Sequence, residues 1–233
     1  MSRLNGNSNK GPFKTGCGSN NEKQNPGSRE YFDDIAYQWD DMRKSFFSES
    51  LREKAIQLSG VKAGMTAADI GAGTGFITEG LLKLGIRVIA VDQSDVMLAE
   101  LKRKFNNSIL LECKTGESED LFLPDASVDR AFANMYLHHT ESPQNAIEEM
   151  ARILKPGGRL VITDLDEHNF EFLRAEQFDR WMGFKRENVS KWLKFAGLKD
   201  VSVECADEDC CSDSSCGCET ARISIFIATG VRE

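Results

Sequence analysis

The sequence predicts an α/β domain built on an open, doubly wound sheet of mostly parallel strands. Three observations carry that prediction. Short apolar runs alternate with amphipathic stretches along most of the chain, the pattern of strand–helix–strand crossovers. The stretch "TAADIGAGTGFITEGLLKLGIRVIAVD" turns a strand into a helix through closely spaced glycines and returns to a second strand. Farther on, "SPQNAIEEMARILKPGG" is a helix that meets a stop signal just before another apolar run.

Each element follows from its local pattern. In "REYFDDIAYQWDDMRKSFF", Phe32, Ile35, Ala36 and Trp39 recur at the spacing of one helical face, so one amphipathic helix is expected there. Strand one precedes the glycines, and the helix after them carries Ile77, Leu81 and Leu84 on one side. Strand two covers Arg87 to Val91, and a helix follows over roughly residues 95–105. "SILLEC", "VDRAFANM" and "RLVITDL" are strands three, four and five. Two helices, "FEFLRAEQFDRWM" and "RENVSKWLKFAG", precede two last strands, "DVSVEC" and "ARISIFIATG". Trp181 and Trp192 are expected as core anchors of those late helices.

Composition sets the bounds. The chain of 233 residues is long enough for one large core, and its 40% hydrophobic and 28% charged content is that of an ordinary globular protein. A net charge of −8 argues against nucleic acid and against an anionic membrane as partners. The apolar runs are too short to span a bilayer, and the N-terminus lacks the apolar core of a signal peptide, so a cytoplasmic protein with reduced thiols is expected. Residues 1–28 are rich in Asn, Gly, Ser and Lys and predict a disordered tail, with Cys17 incidental in it. The folded domain is expected over residues 29–233.

The glycine turn is the first candidate site. Asp69, Gly71, Gly73 and Gly75 sit where a strand becomes a helix, where glycines let a ligand approach and the helix N-terminus offers free N–H donors. The G-x-G-x-G spacing differs from the G-x-G-x-x-G of a dinucleotide site. Glycines at such a turn can also be purely structural. Asp92 at the tip of strand two adds a carboxylate able to accept both hydroxyls of a ribose.

These motifs resemble the class I S-adenosylmethionine-dependent methyltransferases, and the resemblance runs over about residues 29–233. "AADIGAGTGFIT" is similar to the family's first motif and "VIAVDQSDVML" to its ribose motif, which implies that Asp92 holds the ribose and Met97 packs on the adenine. "TGESEDLFLPDASVD" is similar to a pattern whose acidic residue meets the adenine amino group, here Glu117 with Ser118 beside it. This chain has Glu and Ser where Asp and Ala are usual. "ANMYLHH" implies that Asn134 lies at the cofactor's edge. The fold implied is Rossmann-like, with seven strands, the last antiparallel and inserted beside the fifth. The cofactor implied is S-adenosyl-L-methionine, and the kin are small-molecule methyltransferases, including quinone-biosynthesis types. In relatives the first helix covers the cofactor cleft, which brings Tyr37 and Trp39 into view.

Methyl transfer from a sulfonium is an in-line displacement, so the protein mainly positions the reactants and excludes water. A base is needed only if the acceptor arrives protonated. His138 and His139 follow strand four and His168 follows strand five, at the strand ends that face the cleft. His139 and His168 are the candidates, against the alternative of packing histidines. "DEHNFEFLRAEQFDRWMGF" resembles a segment of methyltransferases fused to arsenical-type repressors, which adds weight to His168.

Cys205, Cys210, Cys211, Cys216 and Cys218 crowd the connection between the last two strands, which topology places at the ligand-binding edge. C-x4-CC-x4-C-x-C is not a zinc-ribbon spacing but suits a soft ion or trivalent arsenic. Arsenite methyltransferases resemble this chain in the core and bind the metalloid with separated cysteines, so residue roles do not carry across. A solvated thiol-rich loop or an adventitious disulfide is the plain alternative, and Cys113 is expected in the core. The favoured expectation is a methyltransferase for a small molecule, a thiol-bound metalloid such as arsenite. The alternatives are a quinone-like or other small organic acceptor, or a metal-binding module that keeps the fold.

Overall fold

The computed structural model describes residues 28–106 and 108–233. The predicted tail therefore lies outside the described residues, apart from Ser28, which begins the first helix. The single helix expected at the start of the domain is two, α1 (Ser28–Ile35) and α2 (Trp39–Phe46), separated by a turn. Helix α3 (Glu49–Ser59) follows, capped by the Ser48 hydroxyl on the Ser50 N–H.

The sheet is built from β1 (Thr66–Ile70), β2 (Arg87–Asp92), β3 (Leu111–Thr115), β4 (Val128–Asn134), β5 (Leu154–Leu165), β6 (Leu198–Asp213) and β7 (Thr220–Arg232). Their order is β3-β2-β1-β4-β5-β7-β6. The β1–β2, β2–β3, β1–β4 and β4–β5 pairs are parallel, and β7 is antiparallel to both neighbours. This is the expected seven-stranded sheet with its last strand inserted beside the fifth. The "KPGG" stretch does not stop short of β5; it lies inside the strand as an irregularity before Arg159 pairs with Arg130.

Helices cover both faces, so the inner strands are buried on both sides. Helices α4 (Phe76–Lys83) and α5 (Asp95–Lys104) lie within the first two crossovers, and α6 (Pro143–Ile153) precedes β5. On one face, α3 and α4 bring Leu51, Ala55, Ile77 and Leu81 onto Val88 and Phe132. On the other, α6 and α8 (Arg186–Phe195) bring Ile147, Met150, Val189 and Leu193 onto Ala131, Ala133 and Phe226. Helix α7 (Glu171–Glu176) is shorter than its sequence predicts, and residues 177–185 run on irregularly to α8. Trp192 packs against the core, whereas Trp181 is 39% exposed. Among the described residues, no helix is long and apolar enough to cross a membrane.

The β6–β7 hairpin changes the reading of the cysteines. Strand β6 continues to Asp213, so Cys205, Cys210 and Cys211 lie on a strand rather than in a loop. The connection is only the short stretch 214–219. β5 ends at Leu165, which pairs with Ile225, so the hairpin before Ile225 projects past the C-terminal edge of the parallel strands.

Candidate active site

The glycine turn opens between β1 and α4. Gly71, Gly73 and Gly75 have φ of +68°, +52° and +94°, backbone that side chains with a Cβ rarely adopt. Gly71 N–H donates to Val91 O at 2.9 Å, tying the turn to β2. A Cβ on Gly71 would lie 2.2 Å from the Tyr136 ring, so glycine is also required there by close approach. Asp69 is buried and accepts from Thr78 N–H at 3.0 Å and Thr78 Oγ1 at 2.6 Å. It braces the turn from behind, and burial pushes its carboxyl up to about 6.

Asp92 closes the turn from the tip of β2. Its Oδ2 accepts from Gly73 N–H at 2.8 Å and its Oδ1 from Ser94 N–H at 2.9 Å. Burial raises its pKa, against the pull of those N–H donors. A cleft lies over the turn. Gly71, Gly73, Asp92, Met97 and Asn134 all line it. Asp69, Gly75, Glu117 and Ser118 do not; Glu117 is exposed, and Ser118 is buried with its hydroxyl on Glu119 at 2.9 Å.

Residues not singled out in the sequence complete the cleft. Phe32, Arg43, Phe76 and Tyr136 line it, and Trp39 covers it as the covering-helix expectation implied; Tyr37 is 77% exposed. Arg43 is buried, its guanidinium lies 4.3 Å from the Phe76 ring centre, and its Nε has no hydrogen-bond partner. Its signal in the sequence is faint, a basic residue one turn after Trp39 on an amphipathic helix. The donor set fits S-adenosylmethionine: a carboxylate for ribose hydroxyls, Met97 and aromatic rings for the adenine, and for a carboxylate a buried guanidinium whose Nε is free while its Nη2 lies 3.6 Å from Glu49 Oε1.

A second pocket adjoins the cleft. Aromatic and aliphatic side chains wall it, among them Tyr31, Phe46, Phe47, Leu165 and Leu173. Phe32, Trp39 and His139 belong to both pockets. The polar side consists of His138, His139 and Asp179, with Gln177 and Cys210. His138 Nδ1–H donates to Asp164 Oδ1 at 2.6 Å. Burial opposes charge on His138, but the Asp164 and Asp179 carboxylates outweigh it and hold its pKa up at about 9. Burial and the charge of His138 push His139 well below the usual histidine range. Burial pushes Asp179 up to about 6.

His168 does not join them in either lining. It is buried beside a different groove formed with Glu219 and Arg222, and its Nδ1 accepts from Phe170 N–H at 3.3 Å. The five cysteines are not brought together either. Neighbours on a strand project to opposite faces, so Cys210 is buried at the second pocket while Cys211 is exposed. Cys205 is exposed beside the second bulged stretch, and Cys216 and Cys218 form a disulfide in the hairpin connection. Burial and Asp179 push the Cys210 thiol up to about 12. Cys113 is half-buried on β3, not fully in the core.

Residues 68–162 match the family model described as a methyltransferase domain. The chain is 34% identical over 164 residues to the chloroplastic 2-methyl-6-phytyl-1,4-hydroquinone methyltransferase of Arabidopsis thaliana, covering 68% of this chain and 47% of that protein. It is 33% identical over 136 residues to the demethylmenaquinone methyltransferase of Paenarthrobacter aurescens, covering 57% of this chain and 53% of that protein. The chain thus spans about half the length of these curated relatives. In fold it is similar to phosphoethanolamine N-methyltransferase 2 of Haemonchus contortus, solved with S-adenosyl-L-methionine, at a TM-score of 0.73 and 16% identity, covering 90% of this chain and 61% of that one. A methyltransferase solved with the Haloferax volcanii Trm112 activator gives a TM-score of 0.69 at 22% identity, covering 86% and 96%.

Proposed function

We propose that this chain, a member of the class I S-adenosylmethionine-dependent methyltransferases, methylates a small, flat organic acceptor of the hydroquinone type. The cofactor supplies a methyl group on a sulfonium and leaves as S-adenosylhomocysteine. In this reading Asp92 accepts the ribose hydroxyls, Met97 packs on the adenine, Asn134 lies at the cofactor's edge and Arg43 takes the amino-acid carboxylate. Gly71 and Gly73 keep the turn open to the ligand. Phe32 and Trp39, shared by both pockets, exclude water where the two reactants meet.

One observation carries the choice of acceptor. The second pocket is walled by rings and aliphatic side chains and has a compact polar patch at His138, His139 and Asp179. Such a pocket suits an apolar ring with a hydroxyl aimed at that patch. A thiol-bound metalloid is supported less well, because Cys210 is the one cysteine of the five that lines this pocket. Relatives named for hydroquinone and menaquinone precursors favour the same choice.

The test is conversion of S-adenosylmethionine to S-adenosylhomocysteine by the reduced chain, with a panel of hydroquinones, other phenols and amines, and arsenite. Methylated hydroquinone is the expected product. Methylated arsenic with no organic product would restore the metalloid reading. Cofactor binding without turnover of any acceptor would leave a binding module on the methyltransferase fold.

A further inference from the structure

Two imidazoles and a carboxylate meet at the second pocket, and two of their polar atoms are left without hydrogen-bond partners. Asp179 Oδ1 and His139 Nδ1 are buried and have no hydrogen-bond partner. Asp179 is 3% exposed and His139 9%. Asp179 Oδ1 lies 3.9 Å from His138 Nε2 and 4.0 Å from His139 Nδ1, too far for hydrogen bonds. One possible ligand atom from each of the three residues lies within 4.8 Å of the other two, and among the described residues this is the one such grouping of His, Cys, Asp and Glu.

We propose that His138 Nε2, His139 Nδ1 and Asp179 Oδ1 are the ligands of a divalent transition-metal cation at the polar side of the acceptor pocket. Nitrogen and oxygen ligands sit about 2.0–2.2 Å from zinc, which puts them about 3.3 Å from one another in a tetrahedral site. The two gaps to Asp179 exceed that by well under 1 Å, and the two imidazole nitrogens lie within 4.8 Å of each other, so side-chain adjustments bring the set together. Asp164 strengthens the case independently. Its carboxylate holds His138 Nδ1–H at 2.6 Å, the outer support that metal-ligating histidines commonly have, and it leaves Nε2 as the free ring nitrogen toward Asp179. Two imidazoles and a carboxylate suit Zn2+, Fe2+ or Co2+ rather than a soft ion. No thiolate belongs to the grouping, although Cys210 lines the same pocket.

Three protein ligands leave a coordination position open. All three residues line the pocket, and His139 also lines the cofactor cleft, so the open position lies toward the junction of the two. The use of the ion rests on the acceptor reading: it takes the acceptor's hydroxyl oxygen and fixes it facing the methyl donor. The binding of the ion does not rest on that reading and is measured without any acceptor.

The test uses the full chain with Cys205, Cys211, Cys216 and Cys218 changed to serine, which removes thiols that bind zinc by themselves. Calorimetric titration with Zn2+ should give one ion per chain, Co2+ should develop visible absorption, and Zn2+ should raise the melting midpoint. In that background Asp179→Asn and His139→Gln should each weaken binding at least tenfold while melting cooperatively without metal. Asp164→Asn should weaken it roughly 10–100-fold. Absence of stoichiometric binding, or binding that neither Asp179→Asn nor His139→Gln weakens, overturns the site. Metal-free protein that methylates a hydroquinone as fast as the metal-loaded protein overturns the ion's part in holding the acceptor and leaves the acceptor reading standing. A bound ion with no methylated acceptor supports the site and overturns that reading.

Discussion

Asp92→Ala tests the cofactor cleft at the residue where most of its structure converges. The carboxylate accepts the Gly73 and Ser94 N–H groups at 2.8 and 2.9 Å, so it ties the glycine turn to the first turn of α5. In the proposed reading it also accepts the ribose hydroxyls. A hydrogen bond to a charged acceptor contributes about 1.5–3 kcal/mol. Loss of that contact therefore weakens cofactor binding roughly 10–150-fold. The assay is calorimetric titration of S-adenosylhomocysteine into wild type and variant, with circular dichroism to show that both are folded. Asp92→Asn retains the shape without the charge and should fall between them. Because burial raises the Asp92 pKa, wild-type affinity should also decline on acidification at a higher pH than an ordinary carboxylate dictates. An Asp92→Ala protein that is folded and binds with unchanged affinity refutes the placement of the ribose.

Other substitutions probe separate parts of the argument. Gly183→Ala should destabilise the fold, since Gly183 has φ +67° and a Cβ there would lie 2.1 Å from the Asp166 carbonyl oxygen. Left-handed backbone and overpacking together cost about 2–5 kcal/mol, a fall in melting midpoint of roughly 4–20 °C, and an unchanged midpoint would contradict the close approach. Mass mapping of reduced protein in iodoacetamide at neutral pH should show Cys205 and Cys211 alkylated early and Cys210 last, because Cys210 is buried and its thiol is held up at about 12; equal rates would remove it from the pocket. Asp69, with its folded pKa near 6 and so above the unfolded value, stabilises the fold at low pH, and that contribution is lost as pH rises through 6. Denaturant melts from pH 4 to 7 should therefore shift in favour of Asp69→Asn relative to wild type as pH rises, and a constant difference would show that Asp69 is not the titrating group.

The sheet was legible because each parallel strand is a short apolar run between a turn and an amphipathic helix. The same regularity placed Gly71, Gly73, Asp92, Met97 and Asn134 at one edge, and the structure puts all five in one cleft. What escaped the sequence depends on contacts rather than local pattern. The break between α1 and α2 interrupts a continuous helical stripe that gave no warning of it. α3 is marked only by its ends, since "SESLREKAIQLSG" carries a serine cap and a closing glycine. Asp179 reaches the two histidines from a segment expected to be helical, and that segment is bent away by the pairing of Phe184 with Asp166. The thiol-rich stretch looked like a loop because it is polar, yet pairing with β7 draws it into a strand and sends adjacent thiols to opposite sides.

That strand is also the outer margin of the sheet. Among the described residues β6 pairs with no strand but β7, so its other side offers backbone groups on which a foreign strand could grow, apart from the Cys205 and Ala206 carbonyls that accept from Lys54 Nζ. Two features guard it. The register slips between Lys199 and Ser202 and again between Cys205 and Asp209, which breaks the flat run a partner would need. The strand also carries Asp200, Glu204, Asp207, Glu208, Asp209 and Asp213; Asp207 and Asp209 are paired with Lys54 and Arg222, and the others put negative charge on the margin that a second copy would approach. The acidic residues among the cysteines thus work against edge-to-edge pairing of two copies through the longest strand.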